Sequence, residues 1–301
     1  MSVALPKLFV ESPIQCEGIS VFPLFAEGCS GLQYVLSDDA LANESVLVTE
    51  VDEGGSVPDL LVENKGDERV LFLEGEELVG AKQNRVLNVS VLIGAHTKTA
   101  IPVSCVERGR WDYRSRQFAR GRSSPSNLRR ILKRSVSASL REKRGHRSDQ
   151  NEVWREVERQ QSSLKSSSPT SAMSDTFETH QDRIEEYLER LKPVKNSVGM
   201  AVAIADQLVC LDILDSPKTC EQVWERFVSG FILDALEAPS EYQQVSVSEV
   251  ESLLLSVSGL SWEEAPTVGE GQDYRAENET TAASVLTFED NLVHASVSLG
   301  V

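Results

Sequence analysis

The sequence EGEELVGAKQNR, residues 74–85, separates two apolar segments, 70–73 before it and a second that begins at Val86. The block holds three carboxylates, two glycines and four consecutive polar side chains. Short β-branched segments with alternating polarity on both sides predict strands bounded by polar turns. Polar residues between two such strands are expected at the end of a sheet. The pattern predicts an α+β protein whose N-terminal part is an antiparallel β-sandwich or open barrel.

The pattern along the chain predicts three regions within one domain. Residues 1–111 are β-rich and carry the polar block, apart from a short helix over 34–44 with Ser37 as its N-cap. Residues 112–175 form a basic, Arg/Ser-rich flexible segment with helices, one of them after Ser126. Residues 176–301 are expected to pack with the first region. They should contain, in order, a helix that ends before Pro193, a β-hairpin over 198–214, a helix that begins after Ser216, and a closing β-hairpin over 281–299.

Charge is distributed unevenly along the chain, whose net charge is −17. Residues 108–147 hold 14 Lys and Arg against only Asp112 and Glu142. Two interpretations remain open: a site for an anion or a partner protein, or a solvated arm that lies against the acidic surface of the same chain. Nucleic acid is not favoured as the partner, because Trp111, Tyr113 and Phe118 are too few aromatic residues for a base-stacking platform.

Cysteine usage and hydropathy predict the compartment. The five cysteines, at positions 16, 29, 105, 210 and 220, have no metal-ligand spacing, so neither structural zinc nor disulfides are expected. No apolar run approaches the roughly 20 residues of a membrane span. The N-terminus has no signal-peptide pattern. A cytoplasmic protein without a membrane segment is expected.

Alternation along strands predicts which polar residues meet. Gln83 and Arg85 share a face with the apolar positions that follow them. On neighbouring strands, Glu74 and Glu76 extend one apolar face, and Cys105 and Glu107 extend another. If the strands share a face and an end, the following residues converge: Glu74, Glu76, Gln83, Arg85, Cys105 and Glu107. The set is either a structural network in which the glutamates pair with Arg85, or a ligand pocket in which Arg85 grips an anionic group.

Other residues near the block fit the pocket interpretation. Lys82 and Asn84 offer polar contacts to a ligand, and Gly75 and Gly80 allow a close approach. Trp111 either covers the pocket by stacking or anchors the core. The sequence has no glycine-rich phosphate loop, so the cofactor is left unknown.

Two kinds of chemistry are conceivable at this site. Cys105 with His294 as its base would form a nucleophilic dyad, although a buried cysteine is more often a small core residue. Glu74, Glu76 and Glu107 would act as acid and base or bind Mg²⁺, alone or with the acids at 212 and 215. The alternative role of all these carboxylates is to pair at strand ends and cap helices, and whether the protein is an enzyme stays open.

Two blocks carry a resemblance to a known family. EGEELVGAKQNR with the following VLNVSVLI, and IPVSCVERGRW at 101–111, resemble the ARG and Rhodanese-Phosphatase-superfamily-associated protein domain of bacteria, as do 198–227 and 292–299. The resemblance implies a link to NAD or ADP-ribose metabolism through the proteins with which that family is associated. Two functions are therefore expected: binding or processing of a small anionic nucleotide, or a non-catalytic interaction module that uses the basic arm 112–147.

Overall fold

The computed structural model describes residues 3, 5–28, 30–52, 58–239 and 241–300, so Cys29 lies outside the described part. The N-terminal elements are short strands with a single helical turn among them. In chain order they are β1 Leu8–Val10, β2 Ile14–Cys16, β3 Ile19–Ala26, β4 Val35–Leu36, α1 Ser37–Ala42, β5 Val46–Glu50, β6 Asp59–Asn64, β7 Val70–Phe72, β8 Glu76–Gly80, β9 Arg85–Leu87, β10 Val91–Ile93, β11 Lys98–Cys105 and β12 Phe118–Ser123.

Helices dominate the middle of the chain and strands return at its end. The elements are α2 Ser126–Arg141, α3 Gln150–Ser163, α4 Met173–Thr179, α5 Gln181–Arg190, β13 Gly199–Ile204, β14 Gln207–Leu214, α6 Pro217–Leu236, α7 Val247–Ser258, β15 Glu263–Ala265, β16 Gln272–Glu277, β17 Thr281–Phe288 and β18 Asn291–Leu299. No helix in the described ranges combines the length and the apolar character that crossing a bilayer requires.

The polar block lies in a curled six-stranded antiparallel sheet of order β12-β8-β9-β11-β6-β5. Its two edge strands contact each other, so the sheet forms an open barrel around Val48, Leu60, Leu87 and Ile101. A small sheet of order β10-β7-β4 lies beside it. The predicted α+β class with an N-terminal open barrel is confirmed.

A nine-stranded antiparallel sheet joins the two ends of the chain. Its order is β1-β3-β13-β14-β18-β17-β16-β15, with β2 also paired to β3. Strand β3 pairs with β13 in a register that places Phe22 opposite Ala201. The first strands of the predicted N-terminal region therefore pair with the C-terminal sheet. Helix α6 covers one face of this sheet and α7 covers the other.

Several predicted elements are confirmed, and two details are wrong. Both hairpins form, and α6 begins after Ser216, whose hydroxyl accepts the N–H of Thr219 at 3.2 Å. Ser37 does not cap α1: Leu36 is the N-cap, and the Ser37 hydroxyl donates to Glu76 Oε2 at 2.8 Å. The single helix expected to end before Pro193 is two helices that meet at His180.

Candidate functional site

Arg85 is the centre of the candidate site. It begins β9, and its side chain is 0% exposed. Its Nη1 donates to Gln83 Oε1 at 3.0 Å, and its Nη2 lies 3.8 Å from Glu50 Oε1. Within the described residues its Nε and Nη2 make no hydrogen bond. Burial lowers the pKa of Arg85, and the neighbouring Cys105 and Glu50 oppose that shift.

Glu107 follows β11 and organises the backbone beside Arg85. Its carboxylate accepts two hydrogen bonds from Arg110, at 2.8 and 2.6 Å, one from the Thr170 hydroxyl at 2.8 Å and one from the Asn84 N–H at 3.0 Å. Burial alone would raise the pKa of Glu107, but these donors hold it below its usual value. A carboxylate with four donors is a structural anchor and a poor proton acceptor.

Cys105 lies at the end of β11, fully buried. Its single S–H proton has two acceptors within reach of Sγ, Gln83 Oε1 at 3.1 Å and the Glu107 carbonyl at 3.3 Å. Burial raises the pKa of this thiol, although the Arg85 guanidinium acts in the opposite direction. The neutral thiol fits the interpretation of a small core residue, because only the thiolate is a good nucleophile.

Two exposed aromatic rings cover the buried cations. Trp111 is 44% exposed and Tyr113 is 52% exposed. The Lys82 ammonium lies 5.4 Å and 5.2 Å from the centroids of the Trp111 and Tyr113 rings, and the Arg85 guanidinium lies 5.7 Å from the Trp111 centroid. Trp111 therefore covers the site by stacking on cations and is not a core anchor.

A cavity of about 720 Å³ adjoins this cluster. Glu50, the ion-pair partner of Arg85, and Tyr113, one of the covering rings, both line it. The remaining lining residues are Thr49, Asp52 and Arg116. An aromatic ring and the cation Arg116 thus meet at one opening beside the carboxylates Glu50 and Asp52, and the buried Arg85 guanidinium lies 3.8 Å from Glu50. Such a setting suits a ligand with a planar ring and an anionic group.

The predicted convergence is correct for Gln83, Arg85, Cys105 and Glu107 and wrong for Glu74 and Glu76. Side chains alternate only along a continuous strand, whereas the chain turns at Gly75, where φ is +78°. Strands β7 and β8 consequently belong to different sheets. The sequence predicted Glu74 and Glu76 as partners of Arg85. In the structure its carboxylate partner is Glu50.

Glu76 belongs to a second cluster. It accepts hydrogen bonds from Arg226 at 2.6 Å and from Ser37, and burial raises its pKa to about 7. Its neighbour Glu77 lies beneath the polar block, within 3.5 Å of Asn84 Nδ2. Burial raises the pKa of Glu77 to about 8. No pattern in the sequence distinguishes Glu77 from the other carboxylates of the polar block.

Glu74 belongs to a third cluster, in the core between α2 and the large sheet. It pairs with Lys133 and accepts the Ser284 hydroxyl at 2.7 Å. Lys133 and Arg129, both about 1% exposed, come from the basic segment. The interpretation of that whole segment as a solvated arm is therefore wrong for these two cations, whereas Arg134 and Arg141 of the same helix pair with Glu277 as that interpretation expected. The sequence did carry a signal for the burial of Arg129 and Lys133: their i, i+4 spacing places them on one helix face, beside an apolar stripe.

His294 belongs to the third cluster as well, so the predicted dyad with Cys105 is wrong. The His294 ring bonds Asp212 and Ser90, whereas Cys105 bonds Gln83 and Glu107. The other predicted acid, Asp215, accepts the hydroxyl of Tyr34. The carboxylates proposed as Mg²⁺ ligands are thus dispersed, and no metal-binding group of three occurs among the described residues.

The structure defines the class of protein: an α+β domain in which an open barrel ends in a buried guanidinium under exposed aromatic rings. A sequence profile of the ARG and Rhodanese-Phosphatase-superfamily-associated Protein domain matches residues 7–298. The chain belongs to this family. Searches of curated proteins and of solved structures gave no significant match.

Proposed function

We propose that the protein binds a small anionic nucleotide related to NAD or ADP-ribose at the cluster of Lys82, Arg85, Trp111 and Tyr113. One observation carries the proposal. Arg85 is completely buried, yet two of its nitrogens make no hydrogen bond within the described part of the chain, and the rings above it are exposed. A buried unpaired donor is costly, and an anionic ligand would relieve that cost.

Each part of the ligand would meet a matching group. A purine ring stacks favourably on Trp111 or Tyr113, because every base has a π-face. Phosphates would lie against Arg116 in the cavity, and the planar guanidinium of Arg85, fully buried next to Glu50, would offer paired donors once Glu50 moves aside. The choice of NAD or ADP-ribose within this ligand class follows the expectation attached to the family resemblance.

Binding is better supported than turnover at this cluster. Glu107 has its acceptor capacity engaged by Arg110, Thr170 and Asn84, and the Cys105 thiol is buried and neutral. Asn84 also contacts Arg110 and is held in place by it. These side chains would shape and orient the pocket while Arg85 and the rings contact the ligand.

The test is a thermal-shift series with NAD, ADP-ribose, ADP and inorganic phosphate. A ligand at 100 times its Kd stabilises the folded state by about 2.7 kcal/mol. We expect such a stabilisation in the wild type, and its loss in Trp111→Ala and in a folded Arg85→Ala. Phe9→Ala is the matched control, because Phe9 is also an exposed ring under a cation, Lys7.

Two results would overturn the proposal. One is the absence of a shift with every nucleotide. The other is a shift that survives in Trp111→Ala and in Arg85→Ala alike. The first result would favour the alternative, an interaction module that binds a partner protein through 112–147, and removal of exposed cations such as Arg114 and Arg120 would then be the next measurement.

A further inference from the structure

Three side chains from distant parts of the chain form a relay in the third cluster. Ser90 precedes β10, His294 lies on β18 and Asp212 lies on β14. Ser90 Oγ is 2.8 Å from His294 Nδ1, and His294 Nε2 is 3.2 Å from Asp212 Oδ1. The proposed nucleotide site does not use this relay.

The surroundings of Asp212 fix the tautomer of His294. Arg129 donates to both oxygens of Asp212, at 2.8 and 2.6 Å, so Asp212 is an ionised carboxylate that only accepts hydrogen bonds. His294 Nε2 must therefore carry the proton that bonds Asp212. Its Nδ1 then presents a lone pair to Ser90 and accepts the Ser90 hydroxyl proton. This is the orientation that a general base requires.

Solvent exposure increases along the relay from Asp212 to Ser90, as expected if Ser90 is the nucleophile and His294 its base. Asp212 is 0% exposed and His294 is 2% exposed, whereas Ser90 is partly exposed. The Glu74 N–H donates to Ser90 Oγ at 3.0 Å and fixes the position of the oxygen. One lone pair of that oxygen remains available to attack an electrophile.

We propose that Ser90 is a nucleophile, His294 its general base and Asp212 a positioning residue, and that together they hydrolyse small carboxylic esters. Ser90 Oγ bonds to the acyl carbon and its proton moves to His294 Nδ1. The bond from the acyl carbon to the alcohol oxygen breaks, and that oxygen takes the proton. Water then loses a proton to His294 and attacks the acyl carbon, and Ser90 leaves and regains its proton.

The first test is labelling of the full-length protein with a fluorophosphonate probe, followed by peptide mapping. We expect one adduct on Ser90, absent from Ser90→Ala and present in Ser252→Ala. Ser252 is the matched control because it is an exposed serine whose hydroxyl donates to the backbone carbonyl of Ser248. Hydrolysis of p-nitrophenyl acetate should fall about 1000-fold in Ser90→Ala.

A pH profile distinguishes catalysis from a structural hydrogen bond. The charged groups around His294 are Asp212 from β14, Arg129 and Lys133 from α2, and Glu74 from the turn before β8. The rate of labelling should decrease on acidification as His294 gains a proton. In Asp212→Asn the midpoint of this profile should move to lower pH, because the Asp212 carboxylate raises the pKa of His294, and this shift would assign the midpoint to His294.

Three results would overturn the proposal. They are a folded wild type without an adduct on Ser90, a labelling rate independent of pH, and ester hydrolysis unchanged in Ser90→Ala. The wild-type labelling keeps the test decisive if Asp212→Asn fails to fold. The outcome is independent of the nucleotide proposal, because no residue of that cluster takes part in the relay.

Discussion

Arg129 on α2 binds both carboxylate oxygens of Asp212 on β14, at 2.8 and 2.6 Å, although both side chains are at most 1% exposed. The pair attaches helix α2 to the nine-stranded sheet. Burial alone would raise the pKa of Asp212, but the Arg129 guanidinium and the His294 ring hold it well below its usual range.

Removing Arg129 should be severely destabilising. In Arg129→Met the Asp212 carboxylate stays buried without its main cation, and we expect a loss of about 3–5 kcal/mol in the free energy of unfolding. Urea unfolding measures it. Arg130→Met is the control, because it removes the same charge from the same helix. Arg130 is only half-buried, and its guanidinium donates to Asn127. Equal losses in the two variants would show that the Asp212 pair is unimportant.

Gly75 should tolerate no side chain. Its φ of +78° is unfavourable for L-residues, and an added Cβ would lie 3.2 Å from Arg129 Cγ. Gly145 has nearly the same φ, +77°, with open space around it. We expect Gly145→Ala to lose about 1 kcal/mol from strain alone and Gly75→Ala to lose more. Chemical denaturation compares the two, and a smaller loss at Gly75 would contradict the packing.

Glu77 should make stability decrease as the pH rises. Burial raises its folded pKa from 4.5 to about 8, so between these values the folded protein retains a proton that the unfolded chain has lost. Raising the pH through this window therefore favours unfolding. The contribution is on the order of a few kcal/mol, since one unit of pKa corresponds to about 1.4 kcal/mol.

Glu77→Gln isolates this effect, because Glu76 and Asp234, whose pKa values are raised to about 7, change stability in the same direction in both proteins. The melting temperature of the variant should decrease less than that of the wild type between pH 5 and pH 9. Glu264→Gln, at an exposed position, should follow the wild type. Parallel curves for Glu77→Gln and the wild type would refute the assignment.

Cys105 should resist alkylation in the native protein. It is 0% exposed and burial raises the pKa of its thiol, so little thiolate is present or accessible. Treatment with iodoacetamide at pH 8 and peptide mapping should find Cys105 unmodified, and the same treatment in urea should modify it. Rapid modification in the native state would restore Cys105 as a candidate nucleophile.

The sequence by itself determined most local structure. The apolar alternation predicted the strands around the polar block, and the Ser216–Pro217 start predicted α6, because these signals depend on neighbours in the chain. It also brought Gln83, Arg85, Cys105 and Glu107 together correctly, since these residues lie at the ends of strands that do pair, β9 and β11.

Only the tertiary structure decided how the remaining charges are paired. A turn at Gly75 interrupts the alternation and sends Glu74 to Lys133 and Glu76 to Arg226. The pairing of β3 with β13, the burial of Arg129 and the relay from Ser90 to Asp212 each join residues far apart in the chain. Such contacts depend on which sheets and helices pack together, and the energy of a buried charge is set by partners that local patterns do not specify.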